Sequence, residues 1–103
     1  MIKVSVFYPN NEGSSFDMDY YCNTHIPLVQ KKLGAILKGV SVEQGVSGPE
    51  PGSRATYIAI GHLLFESVDA FQSALDLHAE AIMGDIPNYT EIQPTIQISE
   101  VKI

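Results

Sequence analysis

A chain of 103 residues, 45% of them hydrophobic, with 6 Lys+Arg against 12 Asp+Glu, has room for one domain with a small core and is too apolar for a disordered protein. A net charge of −6, with only Lys31 and Lys32 adjacent among the cations, argues against a nucleic-acid partner, because phosphates reward clustered Lys and Arg. The longest nearly apolar run, Tyr57 to Phe65, is far too short to cross a bilayer.

The first six residues, Met1-Ile2-Lys3-Val4-Ser5-Val6, alternate in polarity, which is the period of a strand and not the basic-then-apolar order of a signal peptide. Pro9 to Ser15 holds turn-forming residues and reads as a loop. A helix is expected from about Asp17 to Leu33, capped by Ser15 or Asp17, with Lys31 and Lys32 at its negative end and Gly34 closing it. Pro27 falls inside that helix, so a kink is expected near His25 and Ile26. Val40, Val42, Gln44 and Val46 suggest a second strand, and a loop with Pro49 and Pro51 leads to a third from about Ala55 to Phe65. Ser67 caps a second helix with Phe71, Ala74 and Leu75 on one face, Leu77 to Gly84 reads as a separate short helix, and Ile96, Ile98 and Val101 suggest a last strand.

The order β-α-β-β-α-β implies the ferredoxin-like α+β class, with both helices on one face of a four-stranded antiparallel sheet, as a single domain over 1–103. On the third strand, Ile58, Ile60, His62 and Leu64 are assigned to the helices. Tyr57, Ala59, Gly61, Leu63 and Phe65 then point away, beside Ser5, Phe7, Ser41, Thr95 and Gln97. So apolar a face should not meet water alone, and a second copy of the sheet is its simplest cover; a homodimer is expected.

Histidine titrates near neutral pH without help. His25 shares a helix face with Tyr21 at the expected kink, where it either lines a pocket or bonds a freed carbonyl. His62 is read as a satisfied core histidine, with the alternative that it reaches the same cavity as His25. His78, beside Glu80, is placed at the junction of two helices as a cap or a surface residue. No spacing among the histidines, Glu80 and Asp85 matches a metal-ligand motif, and no metal is expected. Cys22 is alone, which excludes an intrachain disulfide and a cysteine-ligated cluster, and it reads as a buried inert thiol in a cytoplasmic protein. Dinucleotide, phosphate-loop and nucleophile-elbow motifs are missing, so no cofactor is expected. Tyrosines such as Tyr20, Tyr21, Tyr57 and Tyr89 offer aromatic walls and hydroxyls for a small organic ligand, or ordinary packing.

The run Phe16-Asp17-Met18-Asp19-Tyr20-Tyr21-Cys22-Asn23-Thr24-His25-Ile26-Pro27-Leu28-Val29 resembles the helix-one motif of the EthD family, named for a protein linked to bacterial ethyl tert-butyl ether degradation. The resemblance continues through Ala59 to Phe65 and through Met83 to Thr90, with Gln93, Pro94 and Gln97 after it. It implies a dimeric α+β barrel built from two ferredoxin-like sheets, with a helix–sheet cavity in each subunit. It makes His25 and Tyr21 the leading catalytic candidates, with His62, Tyr20 and Leu28 as substrate-binding residues. Asp85, Pro87 and Asn88 match it as well, although a turn-building role explains them equally. The activity so implied acts on a hydrophobic, oxygen-bearing molecule such as a phenol, quinone, ketone or ether breakdown product, by cofactor-free acid/base or oxidoreductase-type chemistry. A non-catalytic carrier or accessory to a partner oxygenase is the alternative.

Overall fold

The computed structural model describes residues 1–103. Strand β1 (Ile2–Pro9) is followed by a helical arm in three parts: a turn α1 (Met18–Tyr20), a π-helical turn (Tyr21–His25) and helix α2 (Ile26–Leu33). Strands β2 (Gly39–Gln44) and β3 (Tyr57–Phe65), helix α3 (Val68–Asp85) and strand β4 (Thr95–Glu100) complete the chain. The sheet order is β2-β3-β1-β4, with every neighbouring pair antiparallel. This is the ferredoxin-like α+β arrangement.

The helical arm shows why Pro27 does not end it. Asp17 is the N-cap, its carboxylate accepting from the Tyr20 N–H, while Ser15 instead donates to Glu91. The Ile26 N–H reaches the Tyr21 carbonyl, five residues back. That wider turn takes up the strain that Pro27, with no N–H and a bulky ring, would otherwise place on an α-helix. Pro27 then sits in the first turn of α2, where its missing donor costs nothing. The kink expected from sequence is this π-turn, and it carries both Tyr21 and His25.

Two expectations are corrected. Helix α3 is one element of 18 residues, so His78 lies mid-helix, half-buried, and not at a junction. Phe71, Ala74, Leu75, Ala79 and Ile82 form one stripe at helical spacing, and no Pro or cap interrupts it before Gly84. From Ala59 onward the faces of β3 are also the reverse of those expected, while before the irregularity at Tyr8 and Pro9 the expected sides hold, with Ile58 against the core and Tyr57 against Phe7 on the open face. Ile2, Val4, Val6 and Tyr8 pair with Phe65, Leu63, Gly61 and Ala59, and these pack under the helices in two core clusters, one around Val29 and Phe65, the other around Tyr8 and Tyr21. His62, Ile60 and Leu64 lie on the opposite, open face with Ser5, Phe7, Ser41 and Glu43. Alternation separates two faces without saying which is covered. Here the covered positions include the small Ala59 and Gly61, because aromatic rings lie over them; a Cβ on Gly61 would collide with the Tyr21 hydroxyl.

Candidate functional site

Helix α3 rides away from the sheet, with Ala74 its one fully buried residue, and a cleft opens beneath it. A compartment of about 70 Å³ lies at the His25 end, lined by Tyr8, Tyr21, His25, Val29 and Gly61 among others. A second of about 250 Å³, lined entirely by hydrophobic residues, continues toward Phe65 and Phe71. Val6, Leu63, Ile82, Met83 and Ile96 wall both.

His25 is 5% exposed. Its Nδ1 is 2.9 Å from Asp85 Oδ2, and its ring stacks on Tyr21 (centroids 5.5 Å apart, 14° between planes) and leans on Tyr89 at 4.7 Å. Burial holds the imidazole below its ordinary pKa, although bonding and charge from Asp85 pull the other way. For Asp85 the largest single influence, desolvation, pushes upward, but hydrogen bonds from Asn88, Tyr20 and His25 together hold the carboxyl below its ordinary range. Tyr20 Oη and Asn88 Nδ2 both donate to Asp85 Oδ1, at 2.7 and 2.9 Å. The ionised carboxylate accepts, so Nδ1–H donates and the imidazole lone pair lies on Nε2. No fully buried side-chain nitrogen or oxygen lacks a partner, and Nε2 has none in the protein, so Nε2 is accessible on a residue that lines the cleft.

Beside it stand three phenols. Tyr8 and Tyr89 share a hydrogen bond of 2.7 Å, and the Tyr21 hydroxyl lies next to that of Tyr8. Burial raises the pKa of all three, so each keeps its proton. One proton is consumed in the Tyr8–Tyr89 bond. The Tyr21 hydroxyl, at the cleft, is placed to donate its own. Asp85 ends α3, where the helix dipole disfavours an anion; its three donors offset that cost. Tyr89 is fixed in turn by the Asp17 N–H bond to its carbonyl and by Thr90 Oγ1 donating to Ser15.

Of the residues named from sequence, His25 and Tyr21 therefore share the cleft. Tyr20 stands behind it, orienting Asp85. Leu28 is half-buried and lines neither compartment; Ile26 and Val29, two residues before it and one after on the same helix, line the smaller one. His62 is on the other side of the sheet, with Nδ1 bonded to Ser5 Oγ at 2.8 Å and Nε2 to Glu43 Oε1 at 2.9 Å, so it shares no cavity with His25. Cys22 is exposed, against the expected burial. Asp85, Tyr8 and Tyr89 complete the site. Asp85 and Tyr89 lie in the run that carries the family resemblance, with turn-building and ordinary packing as their equal alternatives, and Tyr8 was read only as a strand residue.

The fold and cleft define a ferredoxin-like α+β protein with a histidine–carboxylate pair opening on an apolar helix–sheet cavity. The EthD domain model matches residues 13–93, and an EthD-like protein of Ralstonia eutropha is 41% identical, with 99% of this chain and 92% of that chain covered at a TM-score of 0.95. The chain belongs to the EthD family. An ethyl tert-butyl ether degradation family protein of Bacillus halodurans is 20% identical over 99% of both chains (TM-score 0.68). A dimeric ferredoxin-like protein of unknown function from Thermobifida fusca is 15% identical over 97% of this chain and 90% of that one (TM-score 0.55). No curated protein matches the chain.

Proposed function

We propose that the cleft binds a small hydrophobic molecule bearing an acidic O–H, or a C–H beside a carbonyl, and that His25 is the general base acting on it. The observation that carries this reading is the His25 ring, with Nδ1 locked to Asp85 and Nε2 free toward an otherwise apolar cavity. Nε2 takes the substrate proton, Asp85 steadies the imidazolium that forms, and the Tyr21 hydroxyl donates to the developing oxyanion. The same proton is then returned from Nε2 to product. Such positioned acid/base catalysis is worth ~10²–10⁴-fold in rate.

The test is a thermal-shift screen of the purified protein against phenols, quinones, ketones and ether breakdown products, followed by turnover of any hit. A ligand at about a hundred times its Kd adds ~2.7 kcal/mol, enough to raise the midpoint by several degrees. Turnover by the wild type that is lost in His25→Gln supports the enzyme reading. Binding without turnover supports the alternative, a carrier or accessory protein, which the wholly apolar second compartment favours. Silence across the panel overturns both.

The open face of the sheet, with Phe7, Ile60 and Leu64 on it, supports a homodimer formed through that face, in line with the dimeric relative from Thermobifida fusca. No helix is long and apolar enough to cross a membrane. The exposed free thiol of Cys22 suits a reducing, cytoplasmic setting, and the charge of −6 speaks against nucleic acid as a partner.

A further inference from the structure

We propose that the ligand is an amphiphile: a neutral phenol or enol head meets His25 and Tyr21, and a hydrocarbon tail fills the second compartment. This deepens, and rests on, the ligand-site reading above. The cleft follows the strands, so the two compartments correspond to successive rows of side chains on the covered face. Tyr8 and Ala59 pair at the polar end, Val6 and Gly61 pair at the head, and Val4 and Leu63 pair under the tail.

No polar side chain lines the larger compartment, so water there finds no partner and a hydrocarbon displaces it at no polar cost. At about 30 Å³ per water-sized group, its volume of about 250 Å³ takes roughly eight methylene-sized groups. No Lys or Arg lines either compartment, and the one charge near the head is the Asp85 carboxylate. A fatty-acid carboxylate would therefore be buried without a counter-ion. A neutral head fits, since it can donate to Nε2 of His25 and accept from Tyr21.

A series of 4-alkylphenols from 4-methylphenol to 4-nonylphenol, titrated calorimetrically into the whole protein, tests this. Affinity should rise about fourfold per added methylene until the tail reaches about eight carbons, then stop rising. Ala79→Phe, which fills the compartment, should leave 4-methylphenol binding unchanged and weaken 4-octylphenol at least tenfold. Retained binding of the short phenol shows that the variant is folded. Leu75→Ala, which enlarges the same wall, should move the optimum to a longer tail.

A flat series, with 4-methylphenol still weakened in His25→Gln, overturns the tail assignment and leaves the head site standing. Decanoate binding as tightly as 4-octylphenol overturns the neutral head. If no phenol binds, or binding ignores His25→Gln, the ligand-site reading itself falls.

Discussion

Two histidines in this protein each meet a carboxylate at 2.9 Å, one on either side of the same sheet. His25, under the helices, spends one ring nitrogen on Asp85 and keeps the other for the cleft. His62, on the open face, spends both: Ser5 takes Nδ1 and Glu43 takes Nε2. The carboxylates differ as well. Asp85 is almost enclosed, with a side chain 12% exposed, whereas that of Glu43 is 53% exposed. A histidine–carboxylate pair is therefore not in itself a site. What sets His25 apart is a free nitrogen facing an apolar cavity, and a partner held ionised by three donors.

The comparison breaks most plainly on turnover. His25→Gln should lower the rate on any substrate found by the screen by ~10²–10⁴-fold, and His62→Gln should leave it unchanged. Equal losses in the two variants would mean that the open face takes part in the chemistry. The next effect is on mass. A lysine at the centre of the open face, in Ile60→Lys, should shift light scattering at micromolar concentration from dimer toward the 11.3 kDa protomer. Val68→Lys on α3, already 45% exposed, should not. A wild-type mass near 11.3 kDa would remove the dimer altogether.

The fold was legible because each element carries its own signal: alternation in β1, a capping Asp17 and a closing Gly34 around the helical arm, Ser67 opening α3. The kink was legible from Pro27 alone, and with it the neighbourhood of Tyr21 and His25. The covered face of β3 was not. Hydrophobicity favours Ile60 and Leu64 over Ala59 and Gly61, and only the aromatic rings lying over the small residues reverse that choice; Ile58, beyond the irregularity in the strand, does meet the core. The error carried His62 to the wrong side of the sheet. Asp85 was named through the family resemblance, but its pairing with His25 was out of reach for a different reason. It lies 60 residues from His25 in the chain, and nothing local distinguishes a carboxylate that orients an imidazole from one that builds a turn.

Glycines on the two faces give a smaller and cleaner contrast. In Gly61→Ala the new methyl meets the Tyr21 hydroxyl, so the ring or the strand must shift. Overpacking of this kind costs about 1–3 kcal/mol, read as a lower urea midpoint, and the displaced Tyr21 should weaken phenol binding as well. In Gly39→Ala the methyl finds Leu64 at an ordinary 3.5 Å, and stability should stay within about 0.5 kcal/mol. A neutral Gly61→Ala would show that Tyr21 is loosely held and would weaken the case for its preorganised hydroxyl.

The smallest effect is on acid stability, and it reports directly on the His25–Asp85 pair. Burial holds the folded-state pKa of His25 below its ordinary 6.5, so below that pH the unfolded chain takes up a proton that the folded chain resists. Stability should be full above about pH 6.5 and decline as the pH falls toward the folded value. Asp85 contributes a second, more acidic decline. Its folded pKa lies below the ordinary 3.8, so the stability it confers is present above that value and is lost as the pH drops through the lowered one. Urea midpoints taken from pH 7.5 downward should therefore fall in two stages. His25→Gln should abolish the first stage and spare the second. Asp85→Asn removes the partner that raises the imidazole pKa, so the first stage should still begin near pH 6.5 but run on to lower pH, while the second is removed. A first stage that survives in His25→Gln would mean that another group titrates there, and the pair would lose its claim to be the protein's acid/base element.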